Sequence, residues 1–143
     1  MLTQGSAAAA PDARYVVDYA LARRAAVRGA LAGGTGRAEA CDAAPPLRRA
    51  ARYHGEPAGT DCPVCASGGD LRHVTFAYGE GFADTANGRA RRRDELRALA
   101  TTAPDFSVFV VEVCLGCGWN HLVTSYVLGT GEQRAPRRRR TRA

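Results

Sequence analysis

Two cysteine pairs carry most of the chemistry this sequence offers: Cys62-Pro63-Val64-Cys65 and Cys114-Leu115-Gly116-Cys117, with forty-eight residues between them. Two thiolates separated by two residues reach the same ion across a tight turn, and two such turns close a four-sulfur cage around one Zn²⁺. The surrounding residues suit those turns. Pro63 pre-sets φ in the first, Gly116 and Gly118 tolerate positive φ in the second, and Gly68-Gly69 let the chain turn away. Four thiolates saturate a tetrahedral ion and leave no position for a water, so the expected zinc is structural. The spacing exceeds the about fifteen to twenty residues of compact four-cysteine motifs. An inserted loop and helix at residues 79–104 accounts for the excess.

Other reactive residues fit catalysis poorly. Cys-Pro-x-Cys also occurs in disulfide oxidoreductases, where the thiolate sits at a helix N-terminus. Here Ala66-Ser67-Gly68-Gly69 follows, a poor helix start, and the second pair would go unexplained. His54-Gly55-Glu56 ahead of Cys62 superficially matches zinc deaminases. However, Asp61 rather than proline precedes Cys62, and only five residues separate Glu56 from it. Cys41, expected inside a helix, reads as a small buried hydrophobe. His121 is placed either to donate a hydrogen bond to a cysteine sulfur or to face solvent from a strand; His73 reads as a strand-surface residue. Trp119, the single tryptophan, either covers the zinc sulfurs or stands exposed to stack a base or anchor a partner. Burial is the expected reading. With no Ser-His-Asp set, phosphate loop or paired-acid motif in the chain, neither an enzyme nor a small-molecule substrate is expected.

Charge narrows the partners. All twenty basic residues are arginine. Residues 1–132 balance fourteen arginines against fourteen acids, and residues 133–143 add six arginines with no acid. The formal +6 therefore lies in the tail. There Arg137, Arg138, Arg139 and Arg140 could contact phosphates with a steep salt dependence. No apolar run approaches the about eighteen residues of a membrane span, the first residues do not read as a signal peptide, and paired CxxC cysteines fit a reducing cytoplasm.

The elements that must position these groups follow from periodicity. Residues 1–11 read as a disordered lead-in. A helix is expected from Asp12 to about Leu31, with Val16, Tyr19, Ala20, Val27, Ala30 and Leu31 on one stripe and Arg23 within it. Thr35 caps a short helix to about Asp42, and Pro46 starts a third, Leu47 to His54, carrying Arg48, Arg49 and Arg52. These three permit a helix-turn-helix, but a cap over one face of the sheet is the reading favoured here. Leu71–Tyr78, Asp105–Val113 and Trp119–Leu128 read as strands, and Arg89–Ala100 as a helix. The expected domains are a helical segment at 12–55, a zinc-ribbon domain at 56–129 and a disordered arginine-rich tail at 130–143.

The stretches VVDYALARRA, CDAAPPLRRAARYHGEP, DCPVC, HVTFAYG and VFVVEVCLGCGWNHLVTSYVLG resemble a family of small actinobacterial proteins catalogued as a domain of unknown function, over about residues 14–129. The resemblance implies a cytoplasmic protein with two CxxC knuckles and no assigned activity. The chain thus reads as α+β: about three N-terminal helices joined to a three-stranded antiparallel zinc ribbon with a helical insertion. Cys62, Cys65, Cys114 and Cys117 hold one structural Zn²⁺. The expected role is a transcription-associated or nucleic-acid-binding accessory module, an inference by fold-level analogy. The alternative is a protein–protein adaptor without nucleic-acid contact.

Overall fold

The computed structural model describes residues 10, 12–82 and 88–131. Along the chain run β1 (Arg14–Asp18), α1 (Ala20–Leu31), α2 (Thr35–Ala40), α3 (Pro45–His54), β2 (Glu56–Pro57), β3 (Leu71–Tyr78), β4 (Arg89–Ala90), α4 (Arg93–Thr102), β5 (Phe106–Cys114) and β6 (Asn120–Leu128). The class is α+β, with four helices and one antiparallel sheet among the described residues. The expected three-stranded ribbon is instead a six-stranded sheet in the order β1-β6-β5-β3-β2, with β4 also on β3. The lead-in and the arginine tail fall almost wholly outside the described residues. No helix of the described residues is long and apolar enough to cross a membrane.

The added strands have local causes. Residues 14–18, RYVVD, were expected inside a helix; they pair instead with β6, Arg14 opposite Val127 and Asp18 opposite Thr124. Their aromatic and β-branched side chains suit a strand, and the outer edge of β6 supplies the partners. A register shift between Arg14 and Val17, with Tyr15 at φ 53°, bends this edge. Asp18 then accepts a hydrogen bond from the Ala20 N–H at 2.9 Å and so starts α1. Likewise Arg89-Ala90 do not begin a helix but pair with Ala77 and Phe76. α4 begins only at Arg93, with Asp94 and Glu95 in its first turn, where acids complement the helix dipole.

Alternation on β5 builds the core. Phe106, Val108, Val110, Glu112 and Cys114 share one face, and all five are buried. Leu96 and Ala100 of α4 cover the first part of this face, with Ala77, Tyr126 and Leu128. At the other end α1 covers it, bringing Ala30 against Leu71, Cys114 and Trp119. The opposite face carries Val74 and Val113, packed by Ala51 of α3 and by Ala43. The N-terminal helices therefore divide between the two faces; they do not cap one.

Between the two clusters of the first face lies a buried carboxylate. Glu112 is 2% exposed. Strand register sets Glu56, His73, Glu112 and His121 side by side across β2, β3, β5 and β6. Arg23 of α1 reaches in and donates through Nε and Nη2 to the two Glu112 oxygens, the second at 3.2 Å. Trp119 Nε1 donates to Oε1 at 2.8 Å. Burial holds the His73 imidazole below its ordinary pKa against the pull of Glu112 4.0 Å away, so it faces the carboxylate as a neutral ring. The arginine in the apolar stripe of α1 is thus the counter-ion of a sheet residue.

Removing one member of a buried pair leaves an uncompensated charge. Arg23→Met, which keeps most of the aliphatic stem, is expected to lower the urea-unfolding free energy by about 2–3 kcal/mol. Arg23→Met/Glu112→Gln is expected to recover part of that loss. Equal losses in the two would show that charge pairing is not the source.

Candidate metal centre

The two cysteine turns are built alike. In the first, the Cys62 N–H donates to Ser67 O at 3.1 Å and the Ala66 N–H to Cys62 O at 3.0 Å. In the second, the Cys114 N–H donates to Trp119 O at 2.8 Å and the Gly118 N–H to Cys114 O at 3.0 Å. The same offsets recur, and the fourth residue after each leading cysteine is left-handed: Ala66 at φ 62° and Gly118 at φ 86°. Pairing of β3 with β5, which sets Leu71 opposite Cys114, brings the two turns together. A hydrogen bond from the Leu115 N–H to Asp70 O at 2.9 Å ties them.

The sulfurs of Cys62, Cys65, Cys114 and Cys117 all lie within 4.8 Å of one another. Cys62 Sγ is 3.7 Å from Cys117 Sγ, and Cys65 Sγ is 3.7 Å from Cys114 Sγ. Four sulfurs bound at ~2.3 Å to a tetrahedral Zn²⁺ stand about 3.8 Å apart along each edge. The donor set therefore fits an ion of that size and thiolate preference. Backbone N–H groups point at the sulfurs: Val64 at Cys62 (3.4 Å), Cys117 at Cys114 (3.5 Å) and Trp119 at Cys117 (3.4 Å).

Without a cation, three of the thiols are shifted in different directions. Burial pushes the Cys62 and Cys117 thiols up. Burial pulls Cys65 upward too, but the Ser67 N–H and the neighbouring thiols outweigh it and hold that sulfur below the ordinary value. A bound dication reverses this balance by deprotonating its thiol ligands outright, so metal affinity falls as protons compete at lower pH.

The neighbouring residues sort themselves clearly. Trp119 is 0% exposed, packed in one cluster with Cys62, Cys114 and Ala30. It therefore offers no surface to a base or partner. His121 stacks on it with ring centroids 5.9 Å apart, and His121 Nδ1 lies 2.7 Å from Leu122 O. Among the described residues no hydrogen bond joins His121 to a cysteine sulfur; main-chain N–H groups take that role. Arg137, Arg138, Arg139 and Arg140 lie outside the described residues. Cys41 differs from expectation. It caps the C-terminus of α2, half-buried, with its sulfur 3.7 Å from Cys117 Sγ. Its wide separation from both pairs in sequence hid this proximity.

The chain belongs to the DUF5318 family of unknown function. The family's pattern matches residues 11–142. Relatives include the uncharacterized proteins Mb0050 of Mycobacterium bovis and Rv0049 of Mycobacterium tuberculosis, each 45% identical over 122 residues, or 85% of this chain and 88% of the relative. No solved structure matches the chain. The actinobacterial resemblance therefore holds at the level of family, and the match extends through the arginine-rich tail.

If the four sulfurs hold a metal, Cys114→Ser is expected to lose tight binding of it, measured as metal retained after gel filtration. Full metal content in that variant would remove Cys114 from the ligand set. The two left-handed positions should respond differently. A Cβ on Gly118 would lie 2.9 Å from Cys41 O and against the Arg48 guanidinium. Gly118→Ala should therefore destabilise by about 2 kcal/mol or more, from strain and overpacking combined. Ala66→Gly should change thermal stability by no more than about 0.5 kcal/mol, since relief at positive φ offsets the added chain entropy.

Proposed function

We propose that this protein is a non-enzymatic, cytoplasmic accessory module of the zinc-ribbon type, stabilised by one structural Zn²⁺ at Cys62, Cys65, Cys114 and Cys117, and that it contacts nucleic acid. Four thiolate ligands leave the ion no open position for chemistry, so its contribution is to folding.

One observation carries the nucleic-acid reading. An open groove of about 870 Å³ runs between α3 and the β4–α4 segment, lined by Arg49 and Arg89, by Arg91 paired with Glu95 at 3.5 Å, and by Tyr53, His54 and Phe76. Tyr53 is 68% exposed. Arginines that meet phosphates beside an aromatic face available to a base are the two components of single-strand binding. This basic surface belongs to the body, where overall charge is balanced, and does not depend on the tail.

A specific surface favours the adaptor as the second reading. Leu47, Phe76, Tyr78, Phe109, Val111 and Leu122 line a shallow apolar depression on the sheet face that α3 leaves partly uncovered. With Trp119 buried, this patch is the adaptor's anchoring surface.

A salt titration of binding to duplex and single-stranded nucleic acid separates the two. Three chains are compared: the full protein, a chain ending at Glu132, and Arg49→Ala/Arg89→Ala in the full protein. The nucleic-acid reading expects binding to survive truncation, and the double variant to reduce the slope of log affinity against log salt by about two. Binding that disappears with the tail, or is never seen, would overturn it in favour of the adaptor.

A further inference from the structure

The fifth cysteine is held against the metal centre by contacts that need no metal. The Ala43 N–H donates to Gly118 O at 3.0 Å. Asn120 Nδ2 donates to Asp42 Oδ1 at 3.1 Å. Arg48 Nε donates to Ala43 O at 3.2 Å. Together these fasten the segment between α2 and α3 onto the second cysteine turn, and Cys41 Sγ rests 3.7 Å from Cys117 Sγ. The four-sulfur set excludes Cys41. Cys41, Cys65 and Cys117 are half-buried, whereas Cys62 and Cys114 are buried; of the three, Cys41 and Cys117 are the pair in contact. The thiol outside the set and its nearest ligand are thus both within reach of a small solute.

The geometry points to Cys41 and Cys117 as an oxidative modification site, a dithiol that a hydroperoxide converts to a disulfide with release of the metal. This rests on the zinc reading above. In the first step the Cys41 thiol gives its proton to solvent and its sulfur attacks a peroxide oxygen. The O–O bond breaks, hydroxide leaves and takes up a proton as water, and Cys41 becomes a sulfenic acid. In the second step the Cys117 thiolate attacks the Cys41 sulfur, the S–O bond breaks, and a second hydroxide leaves as the S–S bond forms. Overall two thiol sulfurs are oxidised by two electrons, and one hydroperoxide is reduced. With Cys117 withdrawn, an ion held there would have only three thiolates and would be lost to a chelator, while the Leu115–Asp70 hydrogen bond still ties the two turns. A thiol reductant reverses the disulfide and restores the site.

The test uses the full chain loaded with one equivalent of Zn²⁺ and treated with hydrogen peroxide. Zinc release is followed with a chromogenic chelator, and disulfides are mapped by differential alkylation and mass spectrometry. The expected first product is the Cys41–Cys117 disulfide, formed in step with zinc release and reversed by dithiothreitol. Cys41→Ala, checked for full zinc content and native circular dichroism beforehand, should release zinc about tenfold more slowly, because the initiating thiol is gone. Cys41→Ser, closer in size, serves if the alanine variant fails that check. Equal release rates in wild type and variant, or a first disulfide joining two of the four clustered cysteines, would overturn the proposal. A full chain that binds no zinc would instead sink the metal reading, and mapping the metal-free chain would still decide the pair.

Discussion

Four sulfurs must converge from two turns that are distant in sequence, and the sheet can satisfy that demand in only one register. Leu71 stands opposite Cys114, one step from where β5 enters the second turn. Side chains alternate along a strand, so a slip by one residue would send Cys114 to the face that α3 covers. The same slip would carry Phe106, Val108, Val110 and Glu112 away from α4 and α1. Sulfur convergence and apolar burial therefore select the same pairing. Agreement between separate levels of organisation is what gives a chain of modest core one preferred structure.

The core is modest in a particular way. Alanine supplies Ala30, Ala43, Ala51, Ala77 and Ala100 among its buried residues, and small side chains contribute little burial each. Two polar devices stand where large apolar residues might otherwise serve. One is the sulfur cluster, whose binding free energy becomes folding free energy once a metal is held. The other is Glu112, whose carboxylate joins α1 through Arg23 and the second turn through Trp119. Such networks specify geometry more strictly than apolar contacts do, because their donors and acceptors must meet at short range.

Legibility in the sequence followed the range of the interaction. The cysteine pairs were readable from local spacing, and β3, β5 and β6 from their aromatic and β-branched runs, near-continuous in β5. The β1 strand was not, because Val16, Tyr19, Val27 and Leu31 also satisfy helical spacing; the deciding factor was an open edge on β6 more than a hundred residues later. β4 is two residues long, too short for any periodicity. Cys41 had no signal of its own, since its place at the centre depends on the clasp between Ala43 and Gly118. Arg23 did carry a signal: a charge within an apolar stripe asks for a buried acid, and Glu112, the one acid in the strand run FSVFVVEVC, is that acid.

Trp119 gives this arrangement an optical consequence. It is the single tryptophan, fully enclosed, with its ring against the cysteine cluster and its N–H on the Glu112 carboxylate. Intrinsic indole emission therefore comes from one site, where the sulfur centre, the buried carboxylate and the helix α1 all meet. A metal taken up by the four sulfurs, or a change in the docking of α1, would alter that indole's surroundings. The protein carries its own label-free probe at the point where its stabilising interactions converge.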